Sequence, residues 1–189
     1  LGTGRVSQAL ALCADQELRP VEIRVMSRNE TNRDRFAKVI GPSLGCRLVV
    51  TESIQKCLDG VCAVLTAVPT PRPVLVTGDM PENAHISVMG GDSRTVQLET
   101  ELLRSRLVVV DHLHQARKSG EFQAVLENGH YGKILFARDR EGRIQTIGDA
   151  ALGRLEHQRN QGSVAYFTGM AVQDLHIAAV AYERILNLG

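Results

Sequence analysis

Three short segments of this chain carry residue types suited to gripping a nucleotide and moving a proton. Gly2-Thr3-Gly4-Arg5-Val6-Ser7 has the spacing G-x-G-x-x-S. Here a first glycine permits a tight turn and a second lets main chain lie against a pyrophosphate at a helix N-terminus. The small serine lets that helix pack closely on the sheet. Further on stands Ser27-Arg28-Asn29. An acidic residue at this place would accept hydrogen bonds from ribose hydroxyls and repel a 2′-phosphate. An arginine can clamp that phosphate bidentately, helped by a hydroxyl and an amide, so the segment favours NADP(H) over NAD(H). The third segment, Met89-Gly90-Gly91-Asp92, sets two glycines beside a carboxylate. That pairing lets backbone and acid both approach a substrate, and Asp92 can hold an amino group or shuttle a proton.

Each segment also has a plainer reading. The glycines can serve the geometry of an ordinary strand-to-helix turn, Arg28 can be a solvated residue at a helix start, and Asp92 can cap a following helix.

The elements needed to position these residues are visible as alternating periodicities. A helical stripe runs from Ser7 to Glu17 and stops before Pro20. Val21 to Met26 alternates with period two, as a strand does. A charged helix follows from Asn29 to Ile40, closed by Gly41-Pro42, then a short strand over Arg47 to Val50 and a helical turn or two over Glu52 to Leu58. The apolar run Val61 to Val68 reads as a strand buried on both faces. After a proline-rich loop, strands are expected at Ala84 to Met89 and Leu107 to Asp111, with helices at Val96 to Leu103 and His112 to Lys118. Residues 120–163 read as less regular, with a turn at Asp139-Arg140-Glu141-Gly142 between short strands. A last helical stripe runs from Met170 to Leu188.

Strands alternating with helices predict an α/β fold, a Rossmann-type doubly wound parallel sheet. A glycine turn of this kind is launched from a buried parallel strand, so that strand is expected upstream of Leu1. The predicted division is a dinucleotide-binding domain over 1–164, with its first strand missing, and a C-terminal helix over 165–189.

Composition narrows the partners. The 189 residues are 43% apolar and 23% charged, with a formal net charge of +1, typical of a soluble globular chain. Near-neutral charge offers no case for nucleic acid or an anionic membrane, and no apolar run approaches the roughly 20 residues that span a bilayer. Aromatic residues make up 4% of the chain, too few for a base-stacking surface. Cys13, Cys46, Cys57 and Cys62 form no C-x-x-C pair and read as small buried residues in a reducing cytoplasm, with no metal site. His85, His112, His114 and His176 lack metal spacing and read as structural or solvated. Arg33-Asp34-Arg35 reads as a solvated helix face.

Taken in order, the segments G-T-G-R-V-S, Ser27-Arg28-Asn29, Thr66-Ala67-Val68, residues 85–99 (H-I-S-V-M-G-G-D-S-R-T-V-Q-L-E), V-V-V-D at 108–111 and F-T-G-M-A-V-Q-D-L at 167–175 resemble the ornithine cyclodeaminase/mu-crystallin family. So do Ser119-Gly120-Glu121 and Ile147-Gly148-Asp149. The similarity extends through nearly the whole chain, and its specific parts are the Gly-Gly-Asp and Gly-Met-Ala-Val-Gln-Asp segments.

This resemblance implies a nicotinamide-dependent oxidoreductase acting on an amino acid or imino acid, as a dehydrogenase or ketimine reductase. The alternatives it carries are a cyclodeaminase that recycles its cofactor and a non-catalytic NADPH-binding protein. It implies a homodimer, a small-molecule amino or imino acid as partner, and a substrate and dimerisation domain built mostly from N-terminal sequence, to which the last helix returns. Mapped onto this chain, Asp92 becomes the catalytic carboxylate. Gly2, Thr3, Gly4, Arg5 and Val6 hold the pyrophosphate through main-chain groups, and Ser27, Arg28 and Asn29 hold the adenosine phosphate. Thr66, Ala67, Val68, Met89 and Gly90 line the nicotinamide side. The chain departs from the cyclodeaminase pattern at Val96, where that enzyme has a cofactor-contacting lysine, and at Ser27, where it has a ribose-binding acid. It also has Tyr166-Phe167-Thr168 where many members have Lys-Ser-Val.

Overall fold

A computed structural model describes residues 1–129, 131–155 and 161–187. The first glycine turn leads directly into α1 (Arg5–Leu18), which ends at Arg19 in a left-handed conformation before Pro20. Next come β1 (Glu22–Val25), α2 (Glu30–Ile40), β2 (Arg47–Val50) and α3 (Ile54–Leu58). They are followed by β3 (Ala63–Thr66), β4 (His85–Met89), α4 (Thr100–Ser105) and β5 (Leu107–Val110). The chain continues through α5 (Leu113–Ala116), α6 (Gly120–Glu127), α7 (Ile147–Ala151), β6 (Ser163–Phe167) and α8 (Ala171–Leu186).

All strand pairings between these elements are parallel. β1 pairs with β2, and a second sheet has the order β3-β4-β6-β5. Leu1 and Gly2 tie the two sheets together. The Leu1 amino group donates to the Leu65 carbonyl, the Ala67 amide donates to Leu1 at 3.2 Å, and the Gly2 amide donates to Met26 at 3.0 Å. Between β1 and β3 lies a cavity of about 430 Å³, lined by side chains including Ala11, Ile23, Val25, Val64 and Leu65.

The main core lies around the four-stranded sheet. Ile86, Val88, Val108, Val110, Val164 and Tyr166 are fully buried there against Leu98, Leu103, Phe122 and Val125. A smaller cluster of Ala11, Val25, Phe36 and Ile40 packs α1 and α2 on β1. β5 is buried on both faces, which explains its continuous apolar run. By contrast, β3, β4 and β6 alternate buried with half-buried residues, so the both-face burial expected for the Val61 to Val68 run is only partial.

Three elements differ from the expectations. The helix expected over Val96 to Leu103 begins only at Thr100. Residues before it are drawn out by pairing: the Val74 and Leu75 amides both donate to Gln97, Glu99 donates back to Leu75, and Leu98 is fully buried beside Leu75. Residues 120–163, read as irregular, begin with α6, whose Phe122 and Val125 share a buried face. That region also holds the start of β6, the strand between β4 and β5, so the boundary expected after residue 164 falls within a central strand. A run of five residues flanked by glycine has too little periodicity to separate strand from loop. The turn at Asp139 is present, with the Asp139 carboxylate accepting from the amides of Glu141 and Arg143 between the paired residues Arg138 and Ile144. Helix α8 has no buried residue among those described, and Leu188, expected as its end, lies outside the described residues.

Candidate functional site

Because every sheet strand is parallel, the turns after β1, β3, β4, β5 and β6 gather at one edge, the edge where open α/β sheets bind ligands. The glycine turn joins them through the Leu1 and Gly2 bonds to Ala67 and Met26.

At that turn, Gly2 has φ +99°, and a Cβ on it would lie 2.7 Å from Ser7 Oγ and 3.1 Å from the Ala67 carbonyl. Only glycine suits this place. Gly4 is extended, and a Cβ there would meet nothing within 4 Å, so open space lies in front of it. Gly4 is also the N-cap of the 14-residue α1, which has no capping side chain and no acid in its first turn. The first amides of α1 and its dipole therefore face that space without a competing carboxylate, which suits an anion. Arg5 and Val6 are exposed there. Thr3 is buried, and its carbonyl accepts from the Gln8 side chain at 3.4 Å. Ser7 is 8% exposed and its hydroxyl has no hydrogen-bond partner.

After β1, Arg28 is exposed, while Asn29 caps α2 by accepting from the Asn32 amide at 2.9 Å. The cap uses the Asn29 carbonyl oxygen and leaves its amide group as a donor. Arg33, read as part of a solvated face, instead turns back and donates to the Ser27 carbonyl at 2.5 Å. A second guanidinium thus stands beside the expected phosphate-holding segment. Its position as the fourth residue of α2 gave no signal by itself.

Beyond β3 and β4, the residues expected on the nicotinamide side divide. Ala67, Val68, Met89 and Gly90 are partly exposed. Thr66 is fully buried, and its hydroxyl donates to Gln97 Oε1 at 2.9 Å, so it supports the site from beneath. A Cβ on Gly90 would lie 2.2 Å from the Tyr166 hydroxyl. Gly91 has φ +101°, and its Cβ would lie 2.6 Å from the Thr168 carbonyl. The Gly-Gly pair is therefore pressed against β6 and the loop after it.

Asp92 follows, exposed at the rim. No helix begins there, which removes the helix-cap reading. Its carboxylate accepts from the Arg94 amide at 2.8 Å and from the Arg94 side chain at 3.2 and 3.1 Å. These bonds hold the Asp92 carboxyl below the usual carboxylate range, so it is ionised at neutral pH. The Asp92 carbonyl accepts from Thr95 and Gly120, fixing the loop.

Asp111, at the end of β5, sits behind this rim. It accepts from the Thr168 amide and hydroxyl, both at 2.8 Å, from the Gly169 amide at 3.0 Å and from the His112 amide at 2.7 Å. The strand-terminal Asp in V-V-V-D was the available signal for this role. Among the described residues, no group of three or more His, Cys, Asp or Glu could hold a metal ion. His85 lies between the hydroxyls of Ser163 and Ser87, and His112 caps α5.

The glycine turn and the parallel sheet define an α/β protein of the Rossmann type. The chain belongs to the ornithine cyclodeaminase/mu-crystallin family, whose profile matches residues 1–188. An alanine dehydrogenase of Archaeoglobus fulgidus is 32% identical over 130 residues, covering 67% of this chain and 38% of that protein. An uncharacterized cyclodeaminase of Sinorhizobium fredii is 26% identical over 184 residues, covering 95% of this chain and 54% of that one. The chain thus spans only about half, or less, of these relatives. Among solved structures, a Thermococcus litoralis Δ1-pyrroline-2-carboxylate reductase, in complex with NADH and L-proline, superposes with a TM-score of 0.87 at 20% identity, over 100% of this chain and 57% of that one. An archaeal alanine dehydrogenase dimer with bound NAD gives 0.82 at 22% identity, over 98% and 56%. These two likenesses establish the fold. No helix among the described residues is long and apolar enough to cross a membrane.

Proposed function

We propose that this chain is the cofactor-binding part of an NADP(H)-dependent oxidoreductase that interconverts an amino acid and its imine. The observation that carries the reading is the gathering, at one sheet edge, of an uncapped helix N-terminus, an exposed arginine after β1 and an ionised carboxylate after β4. The family and its dehydrogenase and reductase relatives support the same chemistry.

The residues fit a dinucleotide. Open space at Gly4 and the free first turn of α1 accommodate a pyrophosphate. Arg28, with the Ser27 hydroxyl and the Asn29 amide, offers donors to a 2′-phosphate, with Glu30 the acid in the first turn of the helix that follows. Ala67, Val68, Met89 and Gly90 offer a mostly apolar wall for the nicotinamide ring. When bound, the cofactor supplies or accepts a hydride at the substrate carbon next to nitrogen. Asp92 then holds the substrate nitrogen by charge and takes or returns its proton. For this it exchanges Arg94, whose pairing is solvent-exposed and correspondingly weak. The carboxylate favours catalysis over simple NADPH storage, since a pure binder has little use for it at this place.

The domain division is part of the proposal. Residues 1–164, with β6 completed to Phe167, form the dinucleotide-binding domain. Helix α8 presents Leu175, Tyr182 and Ile185 to solvent along one stripe, a face suited to the substrate and dimerisation domain of a homodimer. The free cysteines suit a reducing cytoplasm. Binding titrations test the cofactor reading. NADPH is expected to bind more tightly than NADH, and the reverse order overturns the assignment of Arg28. Consumption of NADPH in step with imine reduction tests the chemistry; ammonia release without net change in NADPH would instead indicate a cyclodeaminase.

A further inference from the structure

Beneath the ligand edge lies a set of polar side chains with no access to solvent. Gln97 is 1% exposed, while Glu121, Tyr166 and Thr66 are fully buried. Burying an amide and a carboxylate is costly unless every group is paired, and a fully paired network confers a single geometry.

Gln97 is paired at every polar atom of its side chain. Its Oε1 accepts from the Thr66 hydroxyl and from the Val68 amide, each at 2.9 Å. Its Nε2 donates to the Met89 carbonyl at 2.8 Å. One side chain therefore joins the end of β3 to the end of β4, two segments that do not pair with each other beyond Thr66 and Val88. The backbone of Gln97 is held in turn, since its amide donates to Glu121 Oε1 at 2.7 Å. The other Glu121 oxygen accepts from the Tyr166 hydroxyl, which also accepts from the Gly91 amide at 3.4 Å. Tyr166 is in addition the residue whose hydroxyl fills the space beside Gly90.

We propose that Gln97, locked by Glu121 and Tyr166, is a positioning residue that sets the relative places of Val68, Met89 and the Gly90-Gly91-Asp92 loop, and thereby the seat of the nicotinamide ring. This rests on the dinucleotide reading above. Among the described residues, the side chains of Gln97, Glu121 and Tyr166 form no hydrogen bond with the glycine turn or Arg28. Its loss acts on the nicotinamide end of the ligand and spares the adenosine end.

That asymmetry provides the test. Gln97→Met keeps the side-chain length and removes all three side-chain bonds. NADPH and 2′-phospho-ADP-ribose, which lacks the nicotinamide ring, are titrated against the parent chain and the variant. NADPH is expected to weaken about tenfold, as for loss of a buried hydrogen-bonding group, and the enhanced fluorescence of its bound ring to fall. Affinity for 2′-phospho-ADP-ribose is expected to stay within about twofold. Thr66→Val, which deletes one hydroxyl and keeps the shape, gives the same asymmetry at smaller size and serves if Gln97→Met does not fold. Equal weakening of both ligands, or no weakening of NADPH, overturns the positioning role. A parent chain that binds neither ligand overturns the dinucleotide reading, and the hub's role with it.

Discussion

Arg94 grips Asp92 from two residues along the chain, with Nε 3.2 Å from Oδ1 and Nη2 3.1 Å from Oδ2. The pair lies at the rim, with 87% of the arginine side chain and 43% of the aspartate side chain exposed. It keeps the carboxylate charged and oriented in the absence of substrate, and it is loose enough to be exchanged for an ammonium group. Removing Arg94 tests the coupling. Its hydrogen bonds lower the Asp92 pKa by favouring the charged form, so Arg94→Gln raises that pKa toward the ordinary carboxylate value. The acid limb of kcat/KM against pH, measured on the full-length protein, then moves to higher pH. Asp92→Asn lowers kcat by roughly 10²–10⁴, the range for loss of a general acid–base group. An unmoved acid limb in Arg94→Gln would detach the pair from catalysis.

The glycines separate folding from binding. Gly90→Ala places a methyl group 2.2 Å from the Tyr166 hydroxyl and 2.4 Å from its Cζ, where the buried ring cannot yield. Urea unfolding is expected to show a loss of about 1–3 kcal/mol, as for other overpacked cores. Gly4→Ala enters open space in an extended backbone, and its stability changes by no more than about 0.5 kcal/mol. Its NADPH affinity nevertheless falls, because the new methyl group occupies the approach of the pyrophosphate. Unchanged affinity in Gly4→Ala would mean that the phosphate does not lie there.

Cofactor choice is expected to turn on Ser27 and Arg28. Ser27→Asp with Arg28→Ala adds a ribose acceptor and removes the phosphate clamp, so the ratio of NADPH to NADH dissociation constants inverts. A ratio unaffected by both changes would shift the specificity to another group, with Arg33 the nearest cation on the same turn.

Glu121 makes stability depend on pH in an identifiable direction. Burial raises its pKa in the folded chain, outweighing the opposing bonds from Tyr166 and the Gln97 amide. The folded state therefore retains a proton that the unfolded state releases near the ordinary value of 4.5. This contribution to stability is fully present below that value and is lost as pH rises through the folded pKa. Glu121→Gln, which carries no such proton, is expected to flatten this decline in urea midpoints measured from pH 4.5 upward. An identical slope in the two proteins would show that Glu121 ionises normally.

Asp111 is the anchor of the loop after β6. It accepts four hydrogen bonds from Thr168, Gly169 and His112, and only 7% of it is exposed. In Asp111→Asn an amide group must face donors, which costs about 1–3 kcal/mol. The loss appears in the urea midpoint, together with faster hydrogen exchange at Thr168 and Gly169.

Local pattern alone carried a large part of this description. The glycine spacing, the apolar runs at β3 and β5, and the alternating strands β1 and β4 were legible because strand periodicity and continuous hydrophobic runs report burial residue by residue. Ser27-Arg28-Asn29 and Gly90-Gly91-Asp92 were legible because their chemistry lies in residues adjacent in the chain. Other features depended on partners distant in sequence. β6 is a strand because β4 and β5 flank it, and the segment around Gln97 is extended because Val74 and Leu75 pair with it. The hub of Gln97, Glu121 and Tyr166 joins residues up to 69 positions apart (97 to 166), and Asp111 meets Thr168 across 57. Periodicity reports which face of an element is buried, but not what it is buried against. The sequence by itself determined the fold class and the segments proposed to face a ligand. Only the tertiary structure decided that Thr66 is buried against Gln97, that Arg94 holds Asp92, and that Gln97, Glu121 and Tyr166 pair with one another beneath the ends of β3 and β4.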